Sequence, residues 1–214
     1  MAIVQNPITG RSKKKFGTAV FSKQFGKNTM RTKPIEVSNP KTLAQRQQRS
    51  KFTVMVALSR MFLAFIRIGF KQAAIGMSQF NMFMKTNIYD VITGVYPNYT
   101  IDFTKLKVSK GTLMGVEDGT AAAAAGHLIN IDWTDNTGAG DALATDKALQ
   151  LVINYEKGRV IQDTLTKTRT DASSALTVPA SWVGDDVHVF LAFQDVSGAK
   201  VADSSFLGTV TILA

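Results

Sequence analysis

The 214-residue chain contains no cysteine and only two histidines, His127 and His188. The absence of cysteine excludes disulfide cross-links, thiolate nucleophiles and cysteine-ligated zinc or iron–sulfur sites. Two histidines are too few for a multi-histidine metal centre. Acidic residues are scarce in the first third, where Glu36 is the only carboxylate side chain among residues 1–75. Because residues 1–15 lack an apolar stretch, we expect no secretory signal.

Charge is divided unevenly along the chain. Residues 1–75 contain 15 lysines and arginines against one acidic residue, whereas residues 76–214 contain 10 basic and 15 acidic residues, and the total is +9. A basic segment of this kind attracts nucleic acid or an acidic protein surface. The acidic remainder can attract the basic segment of another copy, as in head-to-tail assembly. The alternative interpretation is that the basic side chains are only solvated surface.

Residues 1–38 are predicted to form a basic extended arm. Weak alternation over Phe16–Ser22, with a return strand at Asn28–Arg31, predicts a β-hairpin whose turn is Lys23–Lys27. A lone hairpin is only marginally stable in water. We therefore expect this arm to pack against another part of the chain or against a neighbouring molecule.

A helical region is predicted over residues 39–110, and its first helix is long. Thr42 and Gln45 have the spacing of a capping box, and the helix that begins there is expected to continue to about residues 69–71. One face carries a continuous stripe of basic, polar and small residues at helical spacing. The stripe consists of Arg46, Arg49, Thr53, Ala57, Arg60, Ala64, Arg67 and Lys71. The other faces are apolar and are expected to be buried.

The apolar part of this helix, residues 52–70, is about long enough to span a membrane. Arg60 and Arg67 would then lie deep in hydrocarbon, at about 3 kcal/mol each on insertion scales. We therefore expect no membrane contact.

A second helix is predicted over Ser78–Val91, with Ser78 as its N-cap and Gly94 as its stop. A turn at Tyr96-Pro97-Asn98-Tyr99 and a strand over Ile101–Val108 are expected to follow. These elements connect the helical region to a segment of different composition.

Residues 111–214 have the period-two alternation of short β-strands. The predicted strands are Thr112–Val116, His127–Trp133, Ala148–Tyr155, Val160–Lys167, Ala175–Val178, Val187–Phe193 and Phe206–Leu213. About seven such strands in roughly 100 residues are typical of an immunoglobulin-like or fibronectin-like sandwich. The predicted fold class is therefore α+β, with the basic arm and two helices followed by this sandwich.

The alternation also predicts which side chains face the interior of the sandwich. The inward sets are Ile129, Ile131 and Trp133; Leu149, Leu151, Ile153 and Tyr155; and Val187, Val189, Leu191 and Phe193. Trp133 and Tyr155 are the expected large core members, and Trp182 is expected to cover one end of the sandwich. The alanine run Ala121–Ala125 is interpreted as a loop.

None of the short motifs predicts an enzyme. The glycines around Ala139 lack the third glycine of a dinucleotide loop, and His127 and His188 have no catalytic partners in a recognisable pattern. Asp185 and Asp186 are interpreted as a turn. The oxygen-rich segment 132–141 is interpreted as a solvated turn, with calcium as the alternative. We expect no catalytic residue, metal or cofactor.

Several sequence strings resemble those of a known family. They are Ser38-Asn39-Pro40-Lys41-Thr42-Leu43-Ala44-Gln45-Arg46-Gln47-Gln48-Arg49 with Phe52, Gly69-Phe70-Lys71, Tyr96-Pro97, Ile101-Asp102-Phe103, Val108-Ser109-Lys110-Gly111-Thr112-Leu113 and Pro179-Ala180-Ser181-Trp182-Val183-Gly184-Asp185-Asp186-Val187-His188-Val189. The chain resembles a family of proteins of about this length and of unknown function, from one bacterial phylum and its phages. The family has no assigned catalytic residues, and its phage members imply a virion or assembly role.

The functional expectation is a non-enzymatic structural protein of a bacteriophage virion, made in the host cytoplasm. An auxiliary capsid protein is the first interpretation, a ring protein of the neck or tail the second, and a nucleic-acid-binding protein using residues 11–71 the third. The expected partners are other copies of the chain, other virion proteins and, non-specifically, nucleic acid. The candidate contacts are Lys13, Lys14, Lys15, Lys23, Lys27, Arg31, Arg46, Arg49, Arg60, Arg67 and Lys71.

Overall fold

The structure, a computed structural model, describes residues 2–3, 14–36 and 39–214. The chain divides into two compact units, Met1–Gln45 and Arg46–Ala214, which we call the N-terminal and C-terminal units. Each unit is described by itself below.

The N-terminal unit contains a small antiparallel sheet. Its strands are β1 (Ala2–Ile3), β2 (Lys14–Phe16), β3 (Ala19–Gln24) and β4 (Lys27–Thr32), in the order β1-β4-β3-β2. The predicted hairpin is confirmed as β3 and β4. Its turn is tighter than predicted, because Phe25 and Gly26 both have positive φ and reverse the chain between Gln24 and Lys27.

Three helices are found in the described residues: α1 (Leu43–Met61), α2 (Leu63–Gly69) and α3 (Gln79–Asn87). The prediction of one continuous helix was wrong, because the chain breaks at Phe62 and α2 is bent by 89° from α1. Phe62 has non-helical dihedrals and packs edge-on against Phe83, 5.7 Å between ring centroids. The bend buries Phe62 together with the apolar side of α2.

The N-cap predicted for α3 is confirmed, and the capping box predicted for α1 is confirmed in part. The Asn81 N–H donates to the Ser78 side chain at 3.2 Å, as expected of an N-cap. The Gln45 N–H donates to the Thr42 hydroxyl at 3.4 Å, which is one half of the predicted capping box. Helix α3 ends at Asn87, before the predicted Val91, since a strand begins at residue 92.

A hairpin follows, formed by β5 (Ile92–Val95) and β6 (Asn98–Ile101). Its turn is shorter than predicted, because Asn98 and Tyr99 already pair with β5. The predicted strand over Ile101–Val108 is wrong beyond Ile101, because the N–H groups of Lys105 and Leu106 donate to carbonyls within the segment, and those of Lys107 and Val108 donate to side chains. Asn87 Oδ1 accepts from the Lys107 N–H, and Ser204 Oγ accepts from the Val108 N–H, both at 2.9 Å.

Seven antiparallel strands form the sandwich. They are β7 (Glu117–Ala124), β8 (Leu128–Thr134), β9 (Lys147–Asn154), β10 (Arg159–Asp163), β11 (Ser173–Thr177), β12 (Asp186–Gln194) and β13 (Ser205–Thr211). One sheet has the order β11-β8-β7 and the other β10-β9-β12-β13. This division of strands is that of an immunoglobulin-like or fibronectin-like sandwich, and the predicted α+β fold class is confirmed.

The first strand of the sandwich was missed. The alanine run was interpreted as a loop, but Ala121–Ala124 lie in β7 and pair with residues 128–131 of β8. Ala121 and Ala123 pack against the sandwich core, so tertiary packing overrides the weak strand preference of alanine. The predicted strand Thr112–Val116 is reduced to a single bridge between Leu113 and Ala202.

Strand β9 is buried on both faces. Ala148 and Val152 belong to the sandwich core, whereas Leu149, Leu151 and Ile153 belong to a second core with the helices. The sheet that contains β9 is therefore a middle layer between the helices and the other sheet. The inward assignment of Leu149, Leu151 and Ile153 was wrong, because both faces of this strand are apolar.

The remaining core predictions are mostly confirmed. Ile129, Ile131, Trp133, Val187, Val189, Leu191 and Phe193 are all buried in the sandwich core. Trp182, which was expected to cover one end, is buried in the same core. Tyr155 is the exception: it is 42% exposed and lies edge-on to Phe103. Its position follows the end of β9, where the strand leaves the core.

Among the described residues, no single helix has the length and apolar character needed to cross a membrane. The bent pair α1 and α2 meets the test only by length and composition.

Candidate partner interface

The stripe predicted on the first helix is exposed along its full length. Arg46, Arg49 and Arg60 on α1 and Arg67 on α2 are all exposed, as are the small residues between them. Of the nineteen residues of α1, three are buried: Met55, Leu58 and Ser59. The expectation that the helix would be buried on its other faces was therefore wrong for the first half of α1, where Phe52 remains 45% exposed.

The bend at Phe62 changes how the basic residues are grouped. Arg46 and Arg49 lie one turn apart in the first half of α1. Arg60 and Arg67 line one groove of about 510 Å³, which also includes Val56, Leu63 and Phe80. Two guanidinium groups beside apolar side chains match a ligand surface that carries both acidic and apolar groups.

Lys71, at the end of the predicted stripe, has a different role. Its Nζ donates a hydrogen bond to the Gly198 carbonyl at 2.7 Å. This contact ties the end of the helical region to the loop between β12 and β13, so Lys71 acts within the fold.

The described candidate basic residues of the N-terminal sheet are exposed. Lys14, Lys15, Lys23, Lys27 and Arg31 are all exposed. Lys15 and Arg31 both pair with Val20 from the two neighbouring strands, which places them on one face, roughly 10 Å apart. Lys13 lies outside the described residues.

A buried ion pair in the sandwich was missed by sequence reasoning. Arg169 and Asp146 are both fully buried, and Nη2 of Arg169 lies 3.1 Å from Oδ2 of Asp146. Nη1 of the same guanidinium donates to Asn136 Oδ1, and Nη2 donates to the Met114 carbonyl at 3.0 Å. Because both charged side chains are fully buried, a ligand in solution cannot reach this ion pair.

In the oxygen-rich segment 132–141, Asp135 and Asp141 bind groups within the protein. Asp135 accepts from the backbone and hydroxyl of Thr137. Asp141 accepts from the Met114 N–H and from Lys200 Nζ, both at 3.0 Å, and the Lys200 hydrogen bond holds the pKa of Asp141 below its usual value. In the part of the chain that the structure describes, no three histidine or acidic side chains lie close enough to hold a metal ion.

Asp185 ends a turn, as predicted, because its N–H donates to the Trp182 carbonyl at 2.9 Å, whereas Asp186 is the first residue of β12. Asp185 accepts from Lys157 Nζ at 2.6 Å and from Asn154 at 2.7 Å, and these hydrogen bonds lower its pKa. Asp186 accepts from the Thr211 hydroxyl at 2.6 Å. The two carboxylates therefore have separate partners.

His188 packs among aromatic side chains. Its ring stacks on Phe103 at 3.6 Å between centroids, and its Nδ1 lies 3.0 Å from the Thr209 hydroxyl. Burial lowers the pKa of His188 below its ordinary value of 6.5, and the charge of Asp186 opposes this only in part.

We expect the stability of the C-terminal unit to fall between pH 7.5 and pH 5.5 because of His188. The unfolded chain takes up a proton near pH 6.5, whereas the folded chain does so only at lower pH, so acidification favours unfolding. Aspartates whose pKa is lowered in the folded chain cause a further loss of stability, but only at more acidic pH, where they become protonated. Urea unfolding at the two pH values measures the effect. His188→Gln should remove most of the difference, and an unchanged difference would assign it to other groups.

Comparison with known proteins identifies the family to which the chain belongs. The sequence profile of a family of unknown function (DUF6266) matches residues 10–208. The chain belongs to this family. The match covers the hairpin, the helices and nearly all of the sandwich. No curated protein matches the chain.

Two solved structures are similar to about half of this DUF6266 chain. The fn3 domain of human collagen alpha-1(XX) chain has 9% identity and a TM-score of 0.37, over 50% of this chain and 92% of that one. The FN1-FN3 domains of chicken CNTN1 have 6% identity and a TM-score of 0.39, over 49% of this chain and 36% of that one. These are similarities of fold.

Proposed function

We propose that the chain is a non-enzymatic structural protein of a bacteriophage virion, in the role of an auxiliary capsid protein. The observation that carries this proposal is the exposed stripe of Arg46, Arg49, Arg60 and Arg67 on helices that contain no acidic residue. Half of α1, a helix of about 28 Å, lacks buried residues and is available to a partner.

The partner that best complements this stripe is acidic. The sandwich carries exposed acidic side chains, and Glu117, Asp118, Asp132 and Asp171 lie toward the same end of its three-stranded sheet. The basic helical face of one copy can therefore dock on the sandwich of the next, in a head-to-tail contact. When the rotation between copies closes, the same contact forms a ring, which is the arrangement expected of a neck or tail protein.

Charge reversal tests the helical face. We expect Arg46→Glu with Arg60→Glu to weaken self-association of the full chain by about tenfold or more, because like charges then meet across the contact. Sedimentation at several salt concentrations measures the dissociation constant. Arg159→Glu with Lys167→Glu is the matched control, since it makes the same change of charge on the sandwich.

The control is expected to leave association unchanged or to strengthen it. A chain that remains monomeric at all salt concentrations would contradict the head-to-tail contact.

Removal of residues 1–38 tests the virion role separately, and incorporation into particles is expected to drop. Undiminished incorporation would contradict docking through the arm.

A further inference from the structure

A second basic site lies outside the stripe, between the last turn of α3 and segment 104–110. Two adjoining depressions, of about 370 and 540 Å³, share Asp90, Lys105 and Lys107. We call them together the lysine trough. The smaller depression is lined by Met82, Lys85, Thr86, Asp90, Lys105, Lys107 and Lys110. Four lysines and one carboxylate, Asp90, thus line this depression, and two of the lysines also pair with carboxylates just outside it.

The backbone that carries these lysines is fixed by buried groups. Leu106 and Val108 are 2% and 0% exposed and anchor the segment in the helical core. Asn87, itself buried, donates to the Lys107 carbonyl at 3.0 Å and accepts from the Lys107 N–H. The Lys110 N–H donates to the Gly69 carbonyl at 2.9 Å. The positions of the lysines along the trough are therefore set before any ligand arrives.

Several polar groups of the trough have no strong partner. Lys107 pairs with Asp203 at 2.8 Å and Lys105 with Asp102 at 3.3 Å, and such exposed pairs exchange easily with other anions. Lys85 and Lys110 form no ion pair with any described residue. The Thr86 hydroxyl is buried and has no hydrogen-bond partner. The trough is thus ready to bind an oxyanion.

The larger depression adds aromatic surface. Tyr89 is 76% exposed at its edge, and Phe206 is partly buried in its wall. Lysines that hold phosphates beside an exposed aromatic ring are the combination that proteins use to bind single strands, because the ring stacks on a base of any sequence. A carboxylate-rich peptide would use the lysines but would gain little from Tyr89.

We propose that the lysine trough binds a segment of single-stranded nucleic acid, with phosphates between Lys85 and Lys110 and a base against Tyr89. These residues differ from the basic residues of segment 11–71, where the sequence predicted nucleic-acid contact. The proposal stands independently of the virion role, since it depends on the C-terminal unit alone.

Fluorescence anisotropy of a labelled twelve-nucleotide oligothymidylate with the full chain tests the proposal. Lys85→Ala with Lys110→Ala is expected to weaken binding at least fivefold, and to lower the slope of log K against log salt by about 1.4, as for two lost phosphate contacts on a single strand. Tyr89→Ala is expected to weaken binding by about fivefold or more through lost stacking. Circular dichroism verifies that each variant is folded.

Arg159→Ala with Lys167→Ala is the control that removes the same amount of positive charge as the lysine variant. Arg46→Glu with Arg60→Glu tests whether the helical stripe contributes to binding. Both should retain most of the binding. The proposal is overturned if either control loses as much affinity as the lysine variant, or if Tyr89→Ala binds normally. Competition by inorganic pyrophosphate as strong as that by unlabelled oligonucleotide would assign the trough to free phosphate and overturn the strand proposal. Equal competition by polyglutamate would likewise assign it to an acidic protein.

Discussion

Replacement of Arg169 by methionine should destabilise the sandwich by about 3–5 kcal/mol, the largest effect we expect of any single substitution. The reason is that Asp146 would remain fully buried without a cation. Nε and Nη2 of Arg169 both donate to Oδ2 of Asp146, at 3.2 and 3.1 Å. The guanidinium also lies 3.9 Å from the centre of the Phe193 ring.

A second variant shows whether charge is the cause. Arg169→Met combined with Asp146→Leu removes both buried charges, and we expect it to recover most of the lost stability. The exposed pair of Lys200 and Asp141 is the comparison, where Lys200→Met should cost less than about 1 kcal/mol. Urea unfolding followed by tryptophan fluorescence gives the free energies. A double variant that is no more stable than Arg169→Met would show that packing, and not the unpaired carboxylate, dominates.

Leu151→Ala should cost about 2–5 kcal/mol, because Leu151 is fully buried in the core between β9 and the helices. Since β9 belongs to both cores, helices and sandwich are expected to unfold together. Circular dichroism at 222 nm reports on the helices, and fluorescence of Trp133 and Trp182 reports on the sandwich. The two signals should change at the same urea concentration in the wild type and in the variant.

Tyr155→Ala is the matched control, because the sequence alternation assigned Tyr155 to the same inward-facing set as Leu151. Tyr155 was predicted to face the core with Leu151, yet it is 42% exposed and its ring lies 5.5 Å from that of Phe103. We expect its loss to cost no more than about 1.5 kcal/mol. Equal costs for the two substitutions, or a helical signal lost well before the fluorescence signal, would contradict the layered arrangement.

The two basic surfaces differ in how far the sequence could predict them. The spacing of Arg46, Arg49, Arg60 and Arg67 correctly predicted that these side chains are exposed, because helical periodicity is a local property, but the bend at Phe62 divides them between two helices. The lysine trough was not predicted, since Lys85 lies on α3 and Lys110 follows β6, and they meet only when the chain folds. A hint was present in the alternation of lysines with Leu106 and Val108, which was interpreted as part of a strand.

The sequence by itself determined the elements whose signal is local: the hairpin of β3 and β4, the Ser78 N-cap, six of the seven sandwich strands and the exposed basic stripe. The tertiary structure decided the break at Phe62, the strand formed by the alanine run, the double burial of β9 and the pairing of Arg169 with Asp146. Each of these depends on partners far away in the chain. Periodicity shows that a face is apolar, but when both faces are apolar only the packed neighbours determine which core each one joins.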